Sequence, residues 1–228
     1  MKTLWKSLSK NMSPNGYKFV VGKWHKHEGK LKMCRSGFHC SKNIIDAILY
    51  VDCEWLAQVE VKGKHLIQDD KECWQEMRIT KRWRWTKKMS VSLAIYAAEL
   101  VLPIFEKKYP DDKRPRKAIE AAKRVLKADT IKNRAAARAA GAAGEAAWSA
   151  EVAGAAGAAA MAAGAAGAAA MAARAAGYAA WSLWAAWAAG AAGEAAGAKQ
   201  NILKKCHNYI IKELLKEKRG RGTIKEVR

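Results

Sequence analysis

The stretch Trp55-Leu-Ala-Gln-Val-Glu-Val61 decides how the first part of this chain reads. Trp55, Ala57, Val59 and Val61 fall on one face, and Gln58, Glu60 and Lys62 on the other. A period of two marks a half-buried strand, because successive side chains point to opposite faces. Lys62-Gly63-Lys64 then reads as a turn. Upstream, Tyr17-Lys-Phe-Val-Val-Gly22 is β-branched and aromatic, which predicts an earlier strand. Downstream, Trp74-Gln-Glu-Met-Arg-Ile79 predicts a later one, with Met77 and Ile79 on one face. Between them, the run from Asn43 to Tyr50 sets Ile44, Ala47 and Ile48 at helical spacing. Residues 1–87 therefore read as a small, strand-rich α+β domain.

The pattern changes to helix after Lys88. Ser90 or Ser92 can cap a run whose stripe is Leu93, Ala97, Leu100 and Ile104. Tyr109-Pro-Asp-Asp112 ends it, since proline cannot continue a helix and aspartates suit a turn. A second helix starts near Pro115, with Asp112 as a cap, and runs to Lys127. Asp129 or Thr130 opens a third. From Arg134 to Ala198 the chain is mostly alanine. Gly154-Ala-Ala-Gly-Ala-Ala-Ala-Met-Ala-Ala repeats residue for residue from Gly164. Alanine is the best helix former, and each interior glycine costs roughly 1 kcal/mol against it. So many glycines make sense where helices approach closely, which predicts two or more antiparallel helices. Trp148, Met161, Met171, Trp181, Trp184 and Trp187 would be the knobs of that core. Asn201–Lys216 reads as a last amphipathic helix, with Leu203, Cys206, Ile210 and Leu214 on its stripe. The expected organisation is a strand-rich domain over 1–87, an all-α, Ala/Gly-rich helical domain over 88–217, and a flexible basic tail over 218–228.

Net charge is +21, and its placement matters more than its size. Residues 1–133 carry +14, residues 134–198 carry zero and residues 199–228 carry +7. Such ends favour an anionic partner: nucleic acid, a membrane surface or an acidic protein. The Ala-rich stretch is long enough to span a bilayer, but Glu145, Glu151, Arg174 and Glu194 interrupt it, and charges are costly there. No membrane span is expected. The first residues lack the apolar run of a signal peptide. The 5 cysteines form no evident disulfide framework, so the expected compartment is reducing and cytoplasmic.

Several clusters invite chemistry. His25, His27, Cys34, His39 and Cys40 could ligate zinc, which takes four N or S ligands. Their spacing matches no paired C-x-x-C arrangement, and the preferred reading makes Cys34 and Cys40 small buried hydrophobes. A Cys–His nucleophile is disfavoured because neighbours on a strand face opposite ways. Lys81-Arg-Trp-Arg-Trp-Thr-Lys-Lys88 interleaves cations with aromatics. In a strand, Trp83 and Trp85 would share one face, and Arg82 and Arg84 the other. That pattern suits base stacking plus phosphate contact, or a packed strand with solvated arginines. The candidate partner- or nucleic-acid-binding residues are Arg82, Trp83, Arg84, Trp85, Lys87, Lys88, Arg114 and Arg116. No catalytic residue, metal ligand or cofactor is assigned.

Two resemblances add to this. Gly16-Tyr17-Lys18 to Gly22-Lys23, Cys34-Arg-Ser-Gly37-Phe38-His39-Cys-Ser and Val59-Glu60-Val61-x-Gly63 resemble a domain of unknown function common in phages and prophages, over about residues 14–82. Ala97-Ala-Glu99-Leu-Val-Leu-Pro103-Ile-Phe-Glu106, Tyr109-Pro-Asp-Asp-Lys-Arg114-Pro115-Arg116-Lys-Ala118-Ile-Glu120 and the Ala-rich body resemble an Ala-rich immunity protein family, over about residues 93–215. This chain departs from that family in having more glycine and few histidines in the body. The second resemblance implies an all-α, non-enzymatic protein that binds a toxin or a host defence component. Gly37-Phe-His-Cys-Ser-Lys42 with its following helix is loosely similar to ADP-ribosyltransferase-like folds, implying a degenerate enzyme of that type. The favoured expectation is a phage-type, immunity-like or counter-defence binding protein. Nucleic-acid binding comes second and the degenerate enzyme third.

Overall fold

The computed structural model describes residues 2–9, 17–48, 53–108, 110–137, 139 and 195–220. The chain divides into two compact units, Met1–Trp85 with Ile210–Arg228, and Thr86–Tyr209.

The first unit is built on a five-stranded sheet: β1 (Lys2–Leu8), β2 (Trp24–Lys26), β3 (Phe38–Cys40), β4 (Trp55–Ile67) and β5 (Glu72–Arg84). All the strand pairs are antiparallel. β5 is the organising strand. Its whole length pairs with β4, while β2 and β3 take successive parts of its other edge. Ser41, just past β3, exchanges two 2.8 Å backbone hydrogen bonds with Trp5 of β1. The hydrogen-bonded path β1–β4–β5–β3 therefore returns to β1, which covers strand edges that would otherwise stay open. Leu4, Leu8, Phe38, Val59, Val61, Met77 and Ile79 form the core cluster. Each such side chain contributes about 1.5–3 kcal/mol on full burial.

The strand at Trp55–Val61 is present, and it is longer than its alternating core. Lys62-Gly63-Lys64 is not a turn. Lys62 pairs with Glu76 and His65 with Trp74, so β4 carries one extra residue there. This is a β-bulge, and Gly63 supplies the positive φ of +84°. The reversal comes later, where Gln68 N–H donates to the Lys71 carbonyl at 2.8 Å. Tyr17–Gly22 is not a strand either. Its backbone is spent on a local staple, with Val20 N–H donating to His25 Nε2 at 3.0 Å. The missed strands are β1, β2 and β3, of which β1 is the longest. All of Leu4 to Leu8 is buried, so it shows no clean alternation. The short helix α1 (Ile44–Ile48) is capped by Asn43, whose Oδ1 accepts the Asp46 N–H at 2.8 Å. It rests on β1, where Ser7 Oγ donates to the Ala47 carbonyl at 2.6 Å.

The second unit holds α2 (Lys87–Lys108), α3 (Arg114–Lys127) and α4 (131–137). Thr86, rather than Ser90 or Ser92, caps α2: its Oγ1 accepts the Met89 N–H at 3.2 Å. Leu93 and Ala97 are buried as the stripe requires. Asp112 accepts the Arg114 N–H at 3.0 Å ahead of α3, and Thr130 Oγ1 accepts the Asn133 N–H at 3.1 Å to open α4. A last helix, α5 (Ala195–Gly220), buries Cys206, Ile210 and Leu214. It extends past the expected start of the tail at 218. The expected Ala-rich helices of 140–194, with their tryptophan and methionine knobs, lie outside the described residues.

Candidate functional site

Two pieces of this chain carry chemistry worth building up: the end of β5 and the loop leading into β3.

At the end of β5, pairing sets Trp55 opposite Arg84 and Ala57 opposite Arg82. The two arginines sit two residues apart on one face, and both reach the same ring. The Arg82 guanidinium lies 4.6 Å from the Trp55 centroid and that of Arg84 5.4 Å. Such cation–π contacts are worth roughly 0.5–1 kcal/mol each at exposed sites. Arg84 also pairs with Glu54 at 3.5 Å. A second cluster of this kind lies on β2. Lys62 Nζ is 4.4 Å and the Arg78 guanidinium 5.0 Å from the Trp24 centroid. Trp24 and Trp55 were not among the expected site residues. Only the strand register brings them under the cations, and that register depends on a bulge.

The tryptophans of the interleaved segment turn inward. Trp83 is half-buried, its ring 5.8 Å from that of Trp5. Trp85 is 3% exposed, just beyond the end of the strand. A ring so buried offers no open face to a base. Arg82 and Arg84 remain exposed.

In the second unit, the expected cations sit mostly in ion pairs. Lys87 reaches Asp129 at 3.0 Å, and Arg134 shares that carboxylate at 2.6 Å. Arg114 forks onto Asp112 and Arg116 onto Glu106, at 2.7 and 2.5 Å. These guanidinium hydrogen bonds hold both carboxyls below the usual carboxylate range. Lys88 is exposed, with no ion pair among the described residues.

Most of the His/Cys segment is occupied by structural bonds; the exception is His27, whose buried Nε2 has no hydrogen-bond partner among the described residues. His25 is buried and also contacts the Tyr17 hydroxyl through Nδ1 at 3.2 Å. His39 Nε2 accepts the Cys34 N–H at 2.9 Å, holding Cys34 in a left-handed conformation with φ 60°. Partial burial and the nearby Lys6 and Lys71 push the His39 pKa down, which keeps the ring neutral and able to accept. Cys40 is buried, and that burial pushes its thiol up to about 12, far from a reactive thiolate. Among the described residues, no three His, Cys, Asp or Glu side chains are grouped to hold a metal. Glu60 pairs with Arg78 and Glu76 with Lys62. Among the described residues, no helix is long and apolar enough to cross a membrane.

Comparison with known proteins matches both halves of the sequence reading. A family model for a domain of unknown function, DUF7666, matches residues 2–90. A second model, described as an Imm-5 like putative immunity protein, matches residues 85–211. No curated protein and no solved structure matches the chain. The second model covers more than half the sequence, and the chain belongs to that Imm-5 like immunity protein family.

Proposed function

We propose that this protein acts without catalysis, by binding a protein partner: a toxin or a host defence component. The observation that carries this reading is the family match over residues 85–211. The strand-rich unit would be an accessory module of phage type, and the protein would work in the cytoplasm. The test is protection. Cells carrying the cognate toxin should survive when the full chain is co-expressed. Survival that needs an intact nucleic-acid-binding face, tested with Arg82→Ala and Arg84→Ala, would count against a protein partner.

A second reading is nucleic-acid binding, favoured by the exposed pair Arg82 and Arg84 and by the charge of the chain's two ends. Binding of that kind is electrostatic, with a log–log salt slope of about −0.9 per phosphate neutralised on a duplex. A mobility-shift titration at two salt concentrations tests it. Replacing Arg82 and Arg84 with alanine should flatten the slope by up to about two units. Absence of any shift at low salt would remove this reading.

A further inference from the structure

A cavity of about 480 Å³ opens in the first unit beside the loop from Cys34 to Cys40. Its walls carry four cations, Lys6, Lys26, Arg35 and Lys71, and no carboxylate among the described residues. That imbalance is local. On the outer face of the sheet, Lys62, Arg78 and Arg84 each have a carboxylate partner. Of the four, Lys26 reaches Glu28 at 3.3 Å, out in solvent, and Lys71 is engaged in an interaction of its own, so the site rests on Lys6 and Arg35.

Lys6 is the telling residue. It is 8% exposed, and no carboxylate among the described residues lies within ion-pair distance. Its ammonium donates to the His39 carbonyl at 2.7 Å and lies 5.8 Å from the Phe19 ring centroid. An ammonium has three donors, so it has donors to spare for a ligand. A buried ammonium without a counter-charge is costly, and burial pushes the Lys6 pKa down accordingly. An anion in the cavity would offset that cost.

The remaining walls are aromatic. Trp5, Phe19 and Phe38 are buried, while Tyr17, whose ring contacts Phe19, His25 and Phe38, stays 41% exposed. The size fits small-molecule pockets, which run about 300–1,000 Å³. Inorganic phosphate alone would leave most of it empty.

We propose that this cavity binds a phosphorylated nucleoside, with its phosphate against Lys6 and Arg35 and its base against the Tyr17 ring. The site lies wholly within the first unit, so its test does not depend on the partner-binding reading.

The experiment is calorimetric titration of the full chain at low salt. The probes are ADP, GDP, CDP and UDP, with adenosine and inorganic phosphate as the two half-ligands. At least one diphosphate should bind about tenfold or more tighter than either half-ligand, since each half engages only one part of the site. Arg35→Ala, at an exposed position, should weaken the diphosphate several-fold and leave adenosine unchanged. Tyr17→Leu should weaken the diphosphate and leave phosphate unchanged. Lys6→Met should abolish binding, with circular dichroism reporting whether the fold survives. The proposal is overturned if no diphosphate binds at millimolar concentration, or if inorganic phosphate binds as tightly as the best diphosphate. It is equally overturned if Arg35→Ala and Tyr17→Leu both leave the diphosphate affinity unchanged.

Discussion

Gly37→Ala should be among the more damaging single-methyl additions to the first unit, and Gly63→Ala is its control. Both glycines have positive φ, +106° and +84°. Each substitution therefore carries a backbone penalty of about 1–2 kcal/mol. The surroundings differ. A Cβ at Gly63 would meet nothing closer than the Gln75 Cβ at 3.4 Å, an ordinary contact. A Cβ at Gly37 would lie 2.5 Å from Cys73 Sγ and 2.7 Å from Leu31 Cδ2. Leu31 can swing its methyl away. Cys73 is fully buried, and its thiol donates to the Ser36 carbonyl at 3.2 Å, so it cannot. Overpacking of this kind adds about 1–3 kcal/mol. The expected totals are about 1–2 kcal/mol for Gly63→Ala and about 2–5 kcal/mol for Gly37→Ala. Urea denaturation followed by tryptophan fluorescence gives both values. A double-mutant cycle sharpens the test, because Cys73→Ala removes the closer clash. Gly37→Ala with Cys73→Ala should cost less than the sum of the two alone. Strict additivity, or a Gly37→Ala cost no larger than that of Gly63→Ala, would refute the reasoning.

Other outcomes follow from the same geometry. His39 and His207 have folded pKa values below the unfolded value near 6.5, by desolvation first, so below that pH the unfolded chain binds more protons. Stability should be full above about pH 6.5 and fall as pH drops below it. His39→Gln should flatten that slope in thermal melts between neutral pH and about pH 5.5, and an unchanged slope would count against the His39 account. Cys40, Cys53 and Cys206 are buried with thiols pushed up to about 12, Cys73 is buried too, and Cys34 is exposed. A thiol reagent at mildly alkaline pH should therefore label one cysteine quickly, and two or more fast thiols would contradict the burial. Limited trypsin digestion should leave an N-terminal fragment ending near Lys87 or Lys88, where the proposed domains meet, whereas a single resistant unit would argue against that boundary.

The sequence carried the elements whose burial is one-sided. Val59 and Val61, and Met77 and Ile79, alternate because one face meets the core. It failed where local pattern and tertiary role part. β1 is buried on both faces from Leu4 to Leu8, so that segment gives no alternation. Tyr17–Gly22 has strand-forming side chains, yet its backbone is tied to His25. Gly63 has the chemistry of a turn and serves a bulge. At the candidate site, the interleaving of Arg82 to Trp85 was visible, but the direction each ring faces was not. That depends on which strands flank β5 and on the extra residue near Thr80, where Gln58 pairs with Lys81 and Val59 with Ile79. The basic cavity was invisible for the same reason, since Lys6, Arg35 and Lys71 come from three separate segments.

The central claim is partner binding by an immunity-type protein, and complex formation tests it most directly. The full chain, tagged and expressed in toxin-bearing cells, would be captured after nuclease treatment at about 0.5 M salt, where the Debye length falls to a few ångströms and exposed charge pairs are largely screened. The captured species would be weighed by native mass spectrometry. The account predicts a complex with the toxin at a fixed stoichiometry, retained at that salt and lost from a chain truncated before residue 85. A chain recovered alone at high salt, and bound only to nucleic acid at low salt, would contradict it.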